Sequence, residues 1–131
     1  MNMIKILLVE DNTLFQRAFE IFLHDSLDPF PISVLFTKGI SSAEKALEQE
    51  SPQLALLDGM VEDGMGYDLI PRLKEKNPAM IIVMCSSDEV NNLEGEKRGA
   101  TFSILKASLT HEFGLRHHLS EILRERVLRA A

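Results

Sequence analysis

The sequence predicts an α/β domain in which five parallel strands form one sheet covered by helices on both faces. Three observations carry this. Short apolar runs and helix-periodic segments alternate along the 131 residues, five of each, the pattern of successive βαβ units. Each stretch between runs is long enough for a right-handed crossover, so consecutive strands run parallel. The first, third and fourth runs are almost unbroken in apolarity, as expected of strands buried on both faces.

The first run, MIKILLVE (3–10), ends in Glu10, and Asp11 follows directly. In the helix TLFQRAFEIFLHDS (13–26), Leu14, Phe15, Ala18, Phe19, Phe22 and Leu23 recur at helical spacing and form an inward face. Asp11 or Asn12 is placed to cap it. Pro29 and Pro31 punctuate before the second strand, ISVLFT (32–37). Ser41 or Ser42 is placed to cap a helix through AEKALEQE (43–50), with Ala43, Ala46 and Leu47 inward. QLALLD (53–58) is the third strand, YDLIPRLKEK (67–76) the third helix and AMIIVMCSS (79–87) the fourth strand. The segment 88–98 is polar and interrupted by Gly95, so a short or frayed fourth helix is expected. TFSILK (101–106) is the fifth strand. An amphipathic helix fills about 110–129, with Leu115, Leu119, Ile122, Leu123 and Val127 inward and Arg116, Arg124, Arg126 and Arg129 on its other faces.

Composition sets the class. With 45% hydrophobic and 26% charged residues, the chain reads as an ordinary soluble globular protein. No internal repeat, low-complexity tract or linker interrupts it, so residues 1–131 are expected to form one domain. No apolar run is long enough to span a bilayer and no signal segment leads the chain, so no membrane association is expected. A single cysteine, Cys85, excludes an internal disulfide framework and agrees with the cytoplasm. The net charge of −6 argues against direct nucleic-acid binding and favours cations or basic partners.

In open parallel sheets, ligands bind beyond the carboxyl ends of the strands, where strand order reverses. Here those ends carry Glu10 and Asp11, then Asp58, then Ser86 and Ser87, then Lys106. One edge of the sheet would thus gather three carboxylates, a hydroxyl and an ammonium. Two carboxylates about 5 Å apart repel by roughly 3 kcal/mol at an effective dielectric near 20. Three together call for a cation. A lone acidic residue after a strand is most often a helix cap, and a lone lysine a solvated one; it is their conjunction that points to a site. Cys85 reads as a buried small residue, His117 and His118 as a solvated helix face, and Met60, Met65, Met80 and Met84 as core or loop residues.

KILLVED, LALLD ending in Asp58, Gly66 eight residues further on, IIVMCS ending in Ser86, and GATFSILK ending in Lys106 together resemble the receiver domain of two-component response regulators. The resemblance covers nearly the whole chain. It implies a flavodoxin-like strand order, 2-1-3-4-5. It implies that Asp58 is the phosphoacceptor, a carboxylate nucleophile that becomes an aspartyl phosphate. Glu10 and Asp11 match the acidic pair that holds Mg²⁺ together with Asp58 and the backbone carbonyl of Met60. Ser86 matches the switch hydroxyl, and Lys106 the ammonium that pairs with the phosphate. The implied partners are a histidine kinase or histidine phosphotransfer protein and an output domain or protein, with a homodimer left open. The chain would catalyse only its own phosphorylation and dephosphorylation.

Departures from the family pattern matter. Glu62 stands where a proline is usual, in a loop freed by Gly59, Gly64 and Gly66, and Glu62 and Asp63 are expected to face solvent. Ala107 replaces the proline after the lysine, which leaves the Lys106–Ala107 bond either trans, with the ammonium aimed less tightly, or cis and strained. Ser103 replaces the aromatic switch residue, and Phe102 lies one place off, on the opposite face of the strand. These departures sustain an alternative, a degenerate receiver that binds proteins without phosphorylation. A hydrolase with an aspartyl-phosphate intermediate is the third reading, weakened by Met60 where a second aspartate would be needed.

Overall fold

A computed structural model describes residues 3–109, 120–122, 124–127 and 129. The strands of the main sheet are β1 (Ile4–Val9), β2 (Ile32–Thr37), β3 (Leu54–Leu57), β4 (Ile81–Ser86) and β5 (Phe102–Leu105). They pair in parallel in the order β2-β1-β3-β4-β5. The expected doubly wound sheet is therefore observed. The order in which strands are added to the sheet reverses between β1 and β3, and this opens a crevice at their carboxyl ends.

Alternation along β1 explains the two layers. Ile4, Ile6 and Leu8 face Phe19, Phe22, Leu23 and Leu27 of helix α1 (Thr13–Leu27), and Val127 joins that layer. Leu7 and Val9 face the opposite layer with Ala43 and Leu47 of α2 (Ile40–Leu47) and Ile70 and Leu73 of α3 (Ile70–Lys76). A single-turn 3-10 segment, Gly66–Leu69, leads into α3. Asn12 caps α1, its Oδ1 accepting from Leu14 N at 2.9 Å and Phe15 N at 3.2 Å. Leu14, expected inward, is 80% exposed because it lies on the side of the helix away from the buried face of Phe19, Phe22, Leu23, Ser26 and Leu27.

Two helices differ from expectation. Helix α2 begins at Ile40, before the expected serine caps, because the carboxylate of Asp63 reaches across to accept from Ile40 N at 2.6 Å and Ser41 N at 2.9 Å. Asp63 therefore does more than face solvent: it caps a helix distant in sequence. Helix α4 (Glu89–Lys97) forms nine residues despite lacking an apolar stripe. Asp88 caps it through Val90 N at 2.8 Å, and Asn92 and Gly95 are its buried residues. A Cβ on Gly95 would stand 2.1 Å from Met84 Cγ, so the glycine is what lets the helix lie this close to the sheet. Of the last predicted helix, residues 120–122, 124–127 and 129 are helical. Leu115, Leu119, Leu123, Arg116 and the His117–His118 pair lie outside the described residues.

Candidate functional site

The crevice between β1 and β3 holds the residues singled out at the strand ends. Glu10, directly after β1, has 0% exposure, and Asp58, directly after β3, has 8%. Asp11, next to Glu10, is exposed at the rim. One carboxylate oxygen from each of Glu10, Asp11 and Asp58 lies within 4.8 Å of the others. Lys106 enters from the turn after β5. Its Nζ stands 2.7 Å from Glu10 Oε1 and 3.1 Å from Asp58 Oδ1.

The peptide bond that follows is trans; among the described residues the cis bond is Asp28–Pro29. The trans geometry does not slacken the lysine. The 3-10 turn Lys106–Leu109 carries its side chain into the crevice, where it is buried and doubly paired.

The electrostatics are unbalanced. Burial pushes the Glu10 carboxyl up to about 7, and the Asp58 charge acts in the same direction; the Lys106 hydrogen bond and the Asn12 N–H at 3.1 Å pull against it. Burial alone would lower Lys106, but its contacts with Glu10 and Asp58 outweigh this and hold the ammonium above its ordinary value. Glu10 Oε1 is buried and has the ammonium as its ion-pair partner, without a hydrogen bond of good angular geometry. One ammonium against three carboxylates leaves negative charge in the crevice. Hard oxygen donors, an underserved buried oxygen and surplus negative charge fit a divalent cation such as Mg²⁺.

The other side of the crevice is set by Gly59, Gly66 and Ser86. Gly59 N donates to Asp58 Oδ1 at 2.7 Å. A Cβ on Gly59 would stand 2.4 Å from Ser86 Oγ, so the missing side chain leaves the room in which that hydroxyl sits. Ser86 Oγ accepts from Asp88 N at 3.0 Å, which leaves its own proton to donate. Gly66 packs so tightly that a Cβ there would fall 1.8 Å from the carbonyl oxygen of Asp58. Between these glycines, Met60–Val61 and Gly64–Met65 pair as a short antiparallel hairpin. The Met60 side chain is 66% exposed, so a role inside the crevice falls to its backbone.

Phe102 packs on the α1 layer, while Ser103, on the other face of β5, hydrogen-bonds to Glu96 Oε2 of α4. Burial pushes the Cys85 thiol well up, in keeping with an inert core cysteine.

Three contributors escaped the sequence reading. Asn92, 3% exposed, accepts from Ser86 N at 3.1 Å and donates to the Ile104 carbonyl at 3.0 Å, so it joins α4 to β4 and β5. Gln16 Nε2 donates to the Glu10 carbonyl at 2.7 Å and steadies the acidic turn. Phe15, read only as an inward residue, places its ring 4.2 Å from Lys106 Nζ. A polar residue in the middle of a helix without an apolar stripe was the one signal that pointed to Asn92.

Fold and site together define the class: a doubly wound α/β domain with carboxylates, a hydroxyl and a lysine gathered at the carboxyl ends of its strands. The response regulator receiver domain profile matches residues 6–113, and the chain belongs to that family. The fold is shared with a receiver domain protein (CheY-like) from Methanospirillum hungatei JF-1, at 20% identity and TM-score 0.76, over 98% of this chain and 97% of that one. It is shared with the phosphorylated cyanobacterial phytochrome response regulator RcpA, at 23% identity and TM-score 0.75, over 99% and 97%. A third likeness, to NtrX from Brucella abortus, has 21% identity and TM-score 0.68, and covers 95% of this chain but 29% of that one. No curated protein matches the chain. No helix among the described residues is long and apolar enough to cross a membrane.

Proposed function

We propose that residues 1–131 form a single receiver domain that takes a phosphoryl group from a histidine kinase or histidine phosphotransfer protein onto Asp58, in the cytoplasm. The observation that carries this reading is the junction of three converging carboxylates with a lysine shared between two of them. An Asp58 carboxylate oxygen attacks phosphorus, the P–N bond breaks, and the imidazole leaves with the electron pair. Lys106 exchanges its contact with Asp58 for the phosphoryl oxygens, and Ser86 donates its free proton to them. Glu10, Asp11, Asp58 and the Met60 carbonyl would hold Mg²⁺, which when bound offsets the charge of both carboxylates and phosphoryl group. The added charge of about −1.5 to −2 then favours one arrangement of Ser86 and its loop, and an output domain or protein reads that change. Hydrolysis of the aspartyl phosphate resets the domain, and no other substrate is turned over.

The test is intact-mass spectrometry after incubation with acetyl phosphate, with and without Mg²⁺, beside Asp58→Asn. A Mg²⁺-dependent gain of one phosphoryl group, absent in the variant, is expected. An intact fold that acquires no adduct from acetyl phosphate or from a cognate kinase would instead support the phosphorylation-independent binding module, a reading sustained by Glu62, Ser103 and Ala107 at the three departed positions.

A further inference from the structure

The Lys106 ammonium forms ion pairs with Glu10 Oε1 at 2.7 Å and Asp58 Oδ1 at 3.1 Å. The ammonium also stands over the ring of Phe15, 4.2 Å from its centroid, well inside the range of a cation–π contact. With Lys106 only 7% exposed, water does little to weaken that attraction. Phe15 itself is firmly seated. It lies in the first turn of α1, its backbone N–H bound by the Asn12 cap at 3.2 Å, and it packs against the α1 core layer. The next residue, Gln16, holds the Glu10 carbonyl. One helical turn therefore steadies the Glu10 backbone and sets an aromatic face against the ammonium.

We infer that Phe15 is a positioning residue, whose ring holds the Lys106 ammonium between Glu10 and Asp58 and so presents it to the phosphoryl group. The inference deepens the proposed phosphotransfer role and rests on it for its kinetic consequence. The lysine follows a flexible chain of methylenes from a 3-10 turn, and two carboxylates on one side do not by themselves define its position. The Phe15 ring, 4.2 Å away, adds a third contact. An aliphatic residue at 15 would retain the packing but lose the quadrupole, and the ammonium would be free to turn toward Asp11 or solvent.

Two measurements on the full chain test this. In proton–carbon NMR spectra, with the resonance assigned through Lys106→Arg, the Lys106 ε-methylene protons should lie upfield of the other lysines because of the ring current of Phe15. Phe15→Leu should return them to the ordinary lysine position, and Phe15→Tyr should keep them upfield. In Mg²⁺-dependent phosphorylation by acetyl phosphate, Phe15→Leu should lower the maximal rate by about five- to thirtyfold with KM nearly unchanged, and Phe15→Tyr should restore it. Should Phe15→Leu fail to fold, Phe15→Met serves in its place. An upfield shift that survives Phe15→Leu, an unchanged rate, or a folded Phe15→Tyr that rescues nothing overturns the inference. If the wild-type chain takes no phosphoryl group, the phosphotransfer reading falls, and the NMR arm alone decides whether the ring holds the lysine.

Discussion

Replacing Asn92 by alanine should remove the main anchor of α4. The amide is 3% exposed and joins Ser86 N to the Ile104 carbonyl, at 3.1 and 3.0 Å. Truncation leaves a buried N–H and a buried carbonyl unpaired, at about 1–3 kcal/mol each, so the loss is roughly 2–6 kcal/mol. That is a large share of a domain stability of about 5–15 kcal/mol. Helix α4 has little else to hold it, since Val90 and Leu93 are exposed at 70% and 53% and Gly95 contributes no side chain. Urea unfolding followed by far-UV circular dichroism should show the midpoint falling by roughly 1–2 M with little change in slope. Asn92→Leu separates the causes, because it refills the volume and mends neither hydrogen bond. It should be about as unstable as Asn92→Ala. If the leucine variant comes within about 1 kcal/mol of wild type, less than one unpaired group is expected to cost, the helix is held by packing and the hydrogen-bond reasoning is wrong.

Gly66→Ala puts a Cβ where the Asp58 carbonyl oxygen now sits, at 1.8 Å. The backbone must move, so stability should drop by about 1–3 kcal/mol in the same urea assay, and phosphorylation of Asp58 should slow further than in a surface variant of equal stability. The Asp63 carboxyl is held below its ordinary range by hydrogen bonds from Ser41 N and Ile40 N. A carboxyl depressed on folding adds stability above its unfolded pKa and loses it as pH falls through the folded value. The melting-temperature gap between wild type and Asp63→Asn should therefore be open at pH 7 and close as the pH falls below about 4. Mg²⁺ at about a hundred times its dissociation constant should stabilise the native chain by about 2.7 kcal/mol, and Glu10→Gln should remove most of that gain, as read by thermal melts with and without chelator. Phosphoryl-mimic titration followed by NMR should produce small shifts at Ser103, which is tied to Glu96; large shifts centred there would contradict a muted response of β5.

The frame was legible in the sequence because its signals are local and repeated. Apolar runs such as ILLV and IIVM leave no plausible site but the sheet centre, and their ends bring Glu10, Asp58, Ser86 and Lys106 to one edge by topology alone. What was not legible depends on distant pairs. Nothing near Ser41 announces that its N–H is satisfied by Asp63, twenty-two residues away. A polar 88–98 segment suggests fraying when apolar burial is the only measure, whereas one buried amide and one glycine dock it. Phe15 shows the same limit. Helical periodicity assigns it to the interior, and only the folded chain reveals that Lys106 meets its ring.

The hairpin behind Asp58 is fastened at three points: Gly66 N to the Gly59 carbonyl at 3.0 Å, its own two-residue ladder, and Asp63 on α2. These fastenings tie the hairpin at both ends. Its near end abuts the Asp58 carbonyl and its tip grips the start of α2. A displacement at Asp58 would thus be passed outward to the start of α2, on the face opposite α1, by contacts that do not involve β5 or Ser103. A receiver that lacks the usual aromatic on β5 still has an unbroken line of contacts from its crevice to its surface.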